Sequence, residues 1–340
     1  MNMKHSFRND YGRFAHPRIL QAIAKYGEEL NDPYGLDVHS KNAAELLRKT
    51  FGAEGAEVHF FVGGTVTNMV FLSYVLKDYE CVIAADTAHI NVHETGAIEG
   101  SGHKVLVAQN VDGKLTVEGI DKLLKSHTDE HMVLPRAVYI SNATETGTLY
   151  TKSELRALRD FCKEKGLYLY MDGARLGAAL TAKENDISPA EVGSFCDAFY
   201  VGGGKNGLGI GEALILVNKD LQVHFRHHIK NKGAMLAKGY LLGIEFEEGF
   251  RDGLFFDIAK KENQQAIALY HIFLNHDYDL PKPQTNQVFC TFDDELAEAL
   301  VKEFGCEVWQ REEGKTMLRF VTSYATNEED LLALDAFLPA

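Results

Sequence analysis

The sequence lacks the features that would mark a membrane, secreted or nucleic-acid-binding protein. Its five cysteines are widely spaced and form no CxxC pair, which argues against a disulfide framework and gives no metal motif. No hydrophobic run is long enough to span a membrane, and the polar N-terminus has no signal-peptide core. A net charge of -14 disfavours nucleic acids and anionic membranes as partners. We therefore expect a soluble, cytoplasmic globular protein that binds neither.

A glycine-rich segment in the middle of the chain is its most informative stretch. An apolar run at 198–201 predicts a buried strand, three glycines follow at 202–204, and they lead to a single lysine, Lys205. Glycines allow a sharp turn and a close approach of other groups to the backbone. A buried lysine has a lowered pKa and becomes a usable amine, as a Schiff-base lysine requires. Taken alone, Lys205 fits a solvated turn lysine better.

An upstream strand supplies an acid. Residues 167–171 form an apolar run that ends at Asp172, at the strand end where open α/β sheets bind their ligands. An aspartate at this point can also cap a helix. Pyridoxal phosphate (PLP) requires an acid for its ring nitrogen and a lysine for its aldehyde. Asp172 and Lys205, in this order, predict a PLP site.

Alternating strands and helices predict the fold. Strands are expected at 57–62, 81–84, 104–108, 137–141, 167–171, 198–201 and 213–217. Their alternation with helices predicts a mostly parallel sheet with right-handed crossovers. Beyond this region, 246–276 predicts one long helix, and strands at 287–292 and 315–321 flank another helix. We expect a large domain with an N-terminal arm over 1–245 and a small α+β domain over 246–340.

Several loops after strands place polar residues at the same edge of the predicted sheet. Gly64 and Thr65 open a helix directly after a strand, where free N–H groups and the helix dipole favour a phosphate. His89 follows the next strand on the loop at this edge, although a single histidine, taken alone, is more often a hydrogen-bonded structural residue. Glu94 is expected at a helix start, and Glu145 on another loop at this edge.

Two basic features leave alternatives open. Residues 224–232, with Lys238 just beyond, form either a solvated helix face or a phosphate contact donated to a neighbouring subunit. Arg319 lies inside an apolar strand, where an unpaired charge is costly. It therefore meets an internal acid or binds a ligand carboxylate, and we favour the ligand. No metal site is predicted, because His227 and His228 are adjacent on a helix and face different ways.

Together these motifs resemble the fold-type I PLP-dependent enzymes, whose large domain is aspartate aminotransferase-like. Within them they resemble the L-threonine aldolases and phenylserine aldolases of the β-eliminating lyases. The resemblance runs through almost the whole chain, from 7–10 to 319–321. Its most specific motifs are at 87–89, 171–175 and 203–207.

The resemblance implies a role for each candidate at the centre of the site. Lys205 would carry the cofactor as a Schiff base, and Asp172 would pair with the pyridine nitrogen. His89 would stack on the ring face, and with Lys205 and Asp172 it would form the catalytic set. Arg175 would lie near the phenolic oxygen or the phosphate, and Arg319 would bind the substrate carboxylate.

The resemblance also implies roles at the edge of the site. Gly64 and Thr65 match the phosphate-binding turn, and Tyr34 matches a tyrosine that reaches the substrate side across a dimer interface. Lys230 and Lys238 fall where basic residues of a partner subunit meet the phosphate. A homo-oligomer is therefore expected, either a dimer or a dimer of dimers (a homotetramer).

Three positions depart from the better-known members. Gly204 stands where they carry Thr or Ser, and Asn9 where many have Ser near the substrate carboxylate. Glu145 stands where many threonine aldolases carry a histidine near the substrate hydroxyl. The phenylserine-type members are more similar to this chain at that position.

The expected reaction is PLP-dependent aldol cleavage of a β-hydroxy-α-amino acid to glycine and an aldehyde. The substrate would be of the L-threonine, L-allo-threonine or phenylserine type, and His89, Glu145 or a water would take the hydroxyl proton. An aminotransferase or a β-eliminating amino-acid lyase would use the same Lys205 and Asp172 but give different products. A non-catalytic scaffold of the same fold would need none of these residues.

Overall fold

The computed structural model of the chain describes residues 4–339. The helices are α1 Pro17–Tyr26, α2 Val38–Thr50, α3 Gly64–Val75, α4 His89–Val92, α5 Ala97–Gly100, α6 Val117–Lys125, α7 Lys152–Lys165, α8 Leu176–Thr181, α9 Phe225–Asn231, α10 Tyr240–Phe250, α11 Leu254–Asn275, α12 Asp294–Phe304 and α13 Glu328–Phe337. The strands are β1 Glu57–Phe61, β2 Glu80–Ala84, β3 Lys104–Val107, β4 Asn110–Val111, β5 Lys114–Leu115, β6 Leu134–Ser141, β7 Tyr168–Asp172, β8 Ala198–Gly202, β9 Glu212–Leu216, β10 Gln287–Asp293, β11 Glu307–Glu312 and β12 Lys315–Val321.

Seven strands form the central sheet, in the order β1-β9-β8-β7-β6-β2-β3. Only β9 runs against the others, because it pairs antiparallel with both β1 and β8. Every residue of β2, β8 and β9 is buried, as expected for a sheet covered by helices on both faces. The mostly parallel sheet is thus confirmed. Its parallel strands β2, β6, β7 and β8 end at one edge, so the loops that follow them meet there.

Local signals explain where several helices begin. Pro17 occupies the first turn of α1, where its fixed φ suits the helix and its missing N–H costs nothing. Asp37 caps α2 by accepting the Ser40 N–H at 2.8 Å. Thr151 and Glu154 form a reciprocal capping box at the start of α7.

A three-stranded antiparallel sheet, β10-β12-β11, forms the C-terminal unit with α12 and α13. Its apolar core is separate from that of the large sheet and includes Phe273, Phe292 and Phe320. Phe7 also belongs to this core, and its carbonyl accepts the Val321 N–H at 2.8 Å. The first residues of the arm therefore pack on the C-terminal unit, while the division at residue 245 stays a prediction.

The single long helix expected over 246–276 is wrong. The helix is interrupted between α10 and α11, where Asp252 (φ 55°) and Gly253 (φ 79°) adopt left-handed backbone conformations. Aspartate and glycine tolerate this region, so the helix can turn although the apolar pattern continues. Strand β11 was not predicted either, because most of its residues are exposed and no apolar alternation marks it.

Candidate functional site

A cavity of about 650 Å³ opens at the edge of the sheet where β2, β6, β7 and β8 end. The C-terminal unit closes its other side through β11 and β12. It is lined by Tyr11, Asp86, Thr87, His89, Val92, His93, Glu145, Arg175, Lys205, Glu307, Val308, Trp309 and Arg319. Five of the residues singled out from the sequence therefore meet in one cavity: His89, Glu145, Arg175, Lys205 and Arg319.

Lys205 follows β8 on a tight glycine loop. The N–H groups of Gly203 and Gly204 both donate to the Gly211 carbonyl, at 2.9 and 3.1 Å. Burial lowers the pKa of the Lys205 amine, and the Arg175 charge lowers it further against the pull of nearby carboxylates. A lowered pKa increases the neutral, nucleophilic fraction of the amine. A Cβ added at Gly204 would meet nothing closer than 3.8 Å, so there is room for the side chain that other members carry.

Two buried glutamates fix the ends of this loop. Glu212 Oε2 accepts the Gly203 N–H at 3.1 Å, and Glu245 Oε2 accepts the Ile210 N–H at 3.0 Å. Burial raises the pKa of each carboxyl to about 8. Neither glutamate was singled out from the sequence, since each lies in an apolar run without a motif.

Asp172 is buried at the end of β7 and lies behind the cavity lining. The Tyr139 hydroxyl donates to Oδ2 at 2.5 Å, and the Ala174 N–H donates to Oδ1 at 2.9 Å. Both bonds keep the carboxylate as an acceptor. The N-cap alternative does not hold for α8, whose cap position is Arg175. The Asp172 charge raises the pKa of Lys205, so the two groups interact electrostatically.

The His89 side chain is one-third exposed, and its ring contacts the fully buried carboxyl of Glu94. Its Nδ1 lies 2.8 Å from Glu94 Oε1, which also accepts a 2.8 Å bond from Asn68 Nδ2. Glu94 was expected at a helix start, and this is wrong. It lies between α4 and α5, because Thr95 and Gly96 both adopt left-handed conformations there.

Glu145 sits on the loop after β6 beside His89. Its Oε1 accepts the His89 backbone N–H at 2.9 Å and the Ser141 hydroxyl at 2.7 Å. Burial raises the pKa of this carboxyl, opposed by the Ser141 hydrogen bond. A raised pKa makes this carboxyl a stronger proton acceptor than an ordinary glutamate.

Arg175 is fixed by an acid that sequence reasoning missed. Its Nε and Nη2 donate to Asp10 Oδ2 and Oδ1 at 2.7 and 3.1 Å, and Asn286 donates to Oδ2 at 3.0 Å. Burial alone would raise the pKa of Asp10, but the charges of Arg175 and Lys205 bring it below its ordinary value. The arm, the large sheet and the C-terminal unit thus meet at one buried carboxylate.

Arg319 meets an internal acid and also faces the cavity. Glu307 lies opposite it in the β11–β12 register and accepts from Nη2, while Gln287 accepts from Nη1 at 3.3 Å. The guanidinium also lies 5.4 Å from the centre of the Trp309 ring. Both alternatives from the sequence are therefore compatible with its position, and carboxylate binding stays a prediction.

The remaining candidates lie outside the cavity lining. Gly64 and Thr65 begin α3 with Gly63 at the cap, which leaves the helix N-terminus without a side-chain cap. Asn9 is half-buried next to Asp10 and accepts the Tyr11 N–H at 3.2 Å. Their roles stay predictions.

The candidates for contact across a subunit interface lie on the surface of the single chain. Lys230 Nζ lies 4.8 Å from the centre of the Tyr34 ring, and Tyr34, Lys230 and Lys238 are all exposed. In the single chain the basic face of α9 is exposed to solvent, which is one of the two alternatives predicted for residues 224–232. A phosphate contact in a neighbouring subunit stays a prediction.

The chemistry of these groups fits PLP. A buried amine can bind the aldehyde, and Asp172 is held as an acceptor for a protonated ring nitrogen. The uncapped start of α3 offers backbone N–H groups to a phosphate. None of the helices α1–α13 is both long and apolar enough to cross a membrane, and residues 4–339 hold no group of three His, Cys, Asp or Glu suited to a metal ion.

Comparison with known proteins defines the class. The family model described as beta-eliminating lyase matches residues 18–294, so the chain belongs to the beta-eliminating lyase family. It is 42% identical to the threonine aldolase of Leishmania major, with a TM-score of 0.95 and 98% of each chain covered. It is 33% identical to the low specificity L-threonine aldolase of Pseudomonas aeruginosa, over 84% of this chain and 83% of that protein. An aspartate aminotransferase variant of Thermus thermophilus, at 14% identity, TM-score 0.72 and 99% and 91% coverage, confirms the predicted fold class.

Asp10→Asn tests the buried ion pair. The substitution keeps the size of the side chain but leaves the Arg175 charge without its partner, so we expect a loss of about 3–5 kcal/mol in the free energy of unfolding. Thermal unfolding measures the effect. Asp32→Asn, at an exposed aspartate, is the matched control. Equal melting temperatures for the two variants would contradict the assignment.

Glu245→Gln tests the raised pKa of the α10 carboxyl that accepts the Ile210 N–H of the loop. The pKa of Glu245 rises from an ordinary value of 4.5 to about 8 in the folded protein. The neutral carboxyl therefore stabilises the folded protein fully when the pH is below the unfolded-state pKa. This stabilisation is lost as the pH rises through the folded-state pKa. We expect the variant to gain thermal stability over the wild type progressively from about pH 5 to about pH 8. Exposed Glu28→Gln should show no such trend. A constant difference between variant and wild type would sink the assignment.

Proposed function

We propose that this protein is a PLP-dependent aldolase that cleaves a β-hydroxy-α-amino acid of the L-threonine, L-allo-threonine or phenylserine type to glycine and an aldehyde. The observation that carries the proposal is the convergence of Lys205, His89, Glu145, Arg175 and Arg319 on one cavity, with Asp172 behind it. The similarity of the chain to the two threonine aldolases described above supports this reaction.

The proposed cofactor contacts follow from these positions. Lys205 would hold the aldehyde, Asp172 would pair with the ring nitrogen, and the start of α3 at Gly64 and Thr65 would hold the phosphate. When bound, PLP supplies the electron sink for the electrons of the broken Cα–Cβ bond. Asp172 holds the proton on the ring nitrogen because its charge favours the protonated form.

The substrate is held by its carboxylate. Arg319 provides a planar guanidinium for a bidentate contact, and its stacking on Trp309 restrains its orientation. Asn9, next to Asp10 on the arm, would add a polar contact to the carboxylate. Fixing the carboxylate orients the Cα–Cβ bond, which lowers the entropic part of the barrier.

Two groups on the cavity wall can take the proton of the β-hydroxyl, the His89 imidazole and the Glu145 carboxyl. They lie side by side, since Glu145 accepts the His89 backbone N–H. Either group could accept that proton and return one to the glycine carbon. Glu145 in place of histidine gives this wall an acid beside the substrate hydroxyl.

We further propose a cytoplasmic homo-oligomer, a dimer or a dimer of dimers. In that assembly Lys230 and Lys238 contact the phosphate of a neighbouring subunit, and Tyr34 reaches across the interface. Exposed apolar side chains near Tyr34, including Leu30, Leu36 and Val38, support a covered surface there. The five buried free cysteines suit a reducing compartment.

Product analysis tests the reaction. The purified, PLP-loaded protein is incubated with L-threonine, L-allo-threonine and phenylserine, and glycine and the aldehyde are quantified. We expect the two products in equal amounts, and no turnover or lysine-bound cofactor absorbance in Lys205→Ala. Lys41→Ala, at an exposed lysine of α2, should behave as wild type. A keto acid in place of glycine, or turnover by Lys205→Ala, would refute the proposal.

Asp172→Asn tests the ring-nitrogen contact. The amide keeps the shape but no longer stabilises the protonated nitrogen, so we expect kcat to fall by about 10²- to 10³-fold with some cofactor still bound. Steady-state kinetics and the cofactor content measure both effects. Asp160→Asn, at an exposed position on α7, serves as the control. Unchanged kcat in Asp172→Asn would exclude this role.

A further inference from the structure

Glu94 is a buried carboxylate to which the roles above assign nothing. None of its side chain is exposed to solvent, and it lies in the turn between α4 and α5. Burying a carboxylate is costly unless hydrogen-bond donors surround it. Its two partners are Asn68 and His89, and the second of them lines the cavity.

The hydrogen bonds around Asn68 fix the direction of these contacts. The Tyr170 hydroxyl donates to Asn68 Oδ1 at 2.9 Å, so Nδ2 is the amide atom that faces Glu94. Glu94 Oε1 accepts that N–H. An ionised Glu94 has no hydrogen to donate, and the 2.8 Å contact then requires the hydrogen to be on Nδ1 of His89.

A neutral imidazole has one N–H, so a hydrogen on Nδ1 leaves Nε2 with a free lone pair. Nδ1 faces buried Glu94, whereas about a third of the side chain is exposed and the residue lines the cavity. Nε2, the nitrogen that points away from Glu94, is then the proton-accepting nitrogen.

The same amide extends the network to the second acid of the site. Asn68 Nδ2 also lies 3.5 Å from Asp172 Oδ2, the oxygen that receives the Tyr139 hydroxyl. The Asn68 amide therefore lies between the buried carboxylates of Glu94 and Asp172 and contacts both. His89 and Asp172 are held relative to each other through Glu94 and Asn68.

We propose that Glu94 is a positioning residue for His89: by accepting the Nδ1 hydrogen it holds the imidazole with an unprotonated Nε2 toward the cavity. This deepens the proposed function, on which its catalytic consequence rests. An imidazole held in this form can accept the β-hydroxyl proton, whereas the other tautomer would present a donor at the same place.

Nitrogen NMR of the histidines tests the assignment in the full-length, PLP-loaded protein. The protein is labelled with ¹⁵N-histidine, and the His89 signals are identified by their absence from His89→Asn. We expect the neutral ring to carry its hydrogen on Nδ1 alone. A hydrogen on Nε2 of wild-type His89, or a mixture of both forms, overturns the proposal.

Two substitutions separate the hydrogen bond from the charge. Glu94→Gln keeps an oxygen acceptor for Asn68 and His89, whereas Glu94→Leu removes it at similar size. We expect the Gln variant to keep the single tautomer, and the Leu variant to show both forms and lose about 10- to 100-fold in kcat/KM. The matched substitutions at exposed Glu99 of α5 should change neither. A Leu variant that folds and keeps the Nδ1 form overturns the proposal, and if it does not fold, the wild-type and Gln spectra decide.

The NMR signal does not depend on turnover, so the two proposals can fail separately. Glycine release together with a hydrogen on Nε2 would refute the role of Glu94 and keep the aldolase. An Nδ1 form in a protein that releases no glycine would refute the aldolase and leave the positioning contact in place.

Discussion

The burial of one amine is the constraint on which the site depends. Lys205 is largely enclosed at the cavity wall, and this burial together with the Arg175 charge lowers its pKa. A second buried cation so close requires its own acid, and Asp10 provides it through a bidentate pair. The Asp172 charge acts in the opposite direction and raises the pKa of the amine. The pKa of Lys205 is therefore set by charged groups that different parts of the chain hold in place.

The sheet explains why so few residues are needed to build the cavity. Parallel strands that end at one edge bring the loops after β2, β6, β7 and β8 together without any long connection. The C-terminal unit adds only β11 and β12, which provide Trp309 and Arg319 opposite those loops. The proposed cofactor residues Lys205 and Asp172 thus come from the large sheet, whereas Arg319, proposed to bind the substrate carboxylate, comes from the C-terminal unit.

The residues that follow apolar strands could be predicted from the sequence, and those held by distant partners could not. Asp172 comes directly after a buried run, and Lys205 follows another one after three glycines, so recognition of the strands also located both residues. Asp10 lies in a polar segment without periodicity, and its partners are more than a hundred residues away. Glu94 was found but placed on the wrong element, because the left-handed turn after it depends on packing. Exposed strand β11 has no apolar alternation from which it could have been predicted.

The attachment of the arm has a consequence for synthesis on the ribosome. Phe7 packs in the C-terminal core and bonds to Phe304 and Val321, and Asp10 binds Asn286, so residues 7–10 find their partners in a segment that is made almost three hundred residues later. During translation Arg175 is also made long before the strands that anchor Asp10 beside it. The nascent large domain therefore has an incomplete charge balance until residue 286 has left the ribosome.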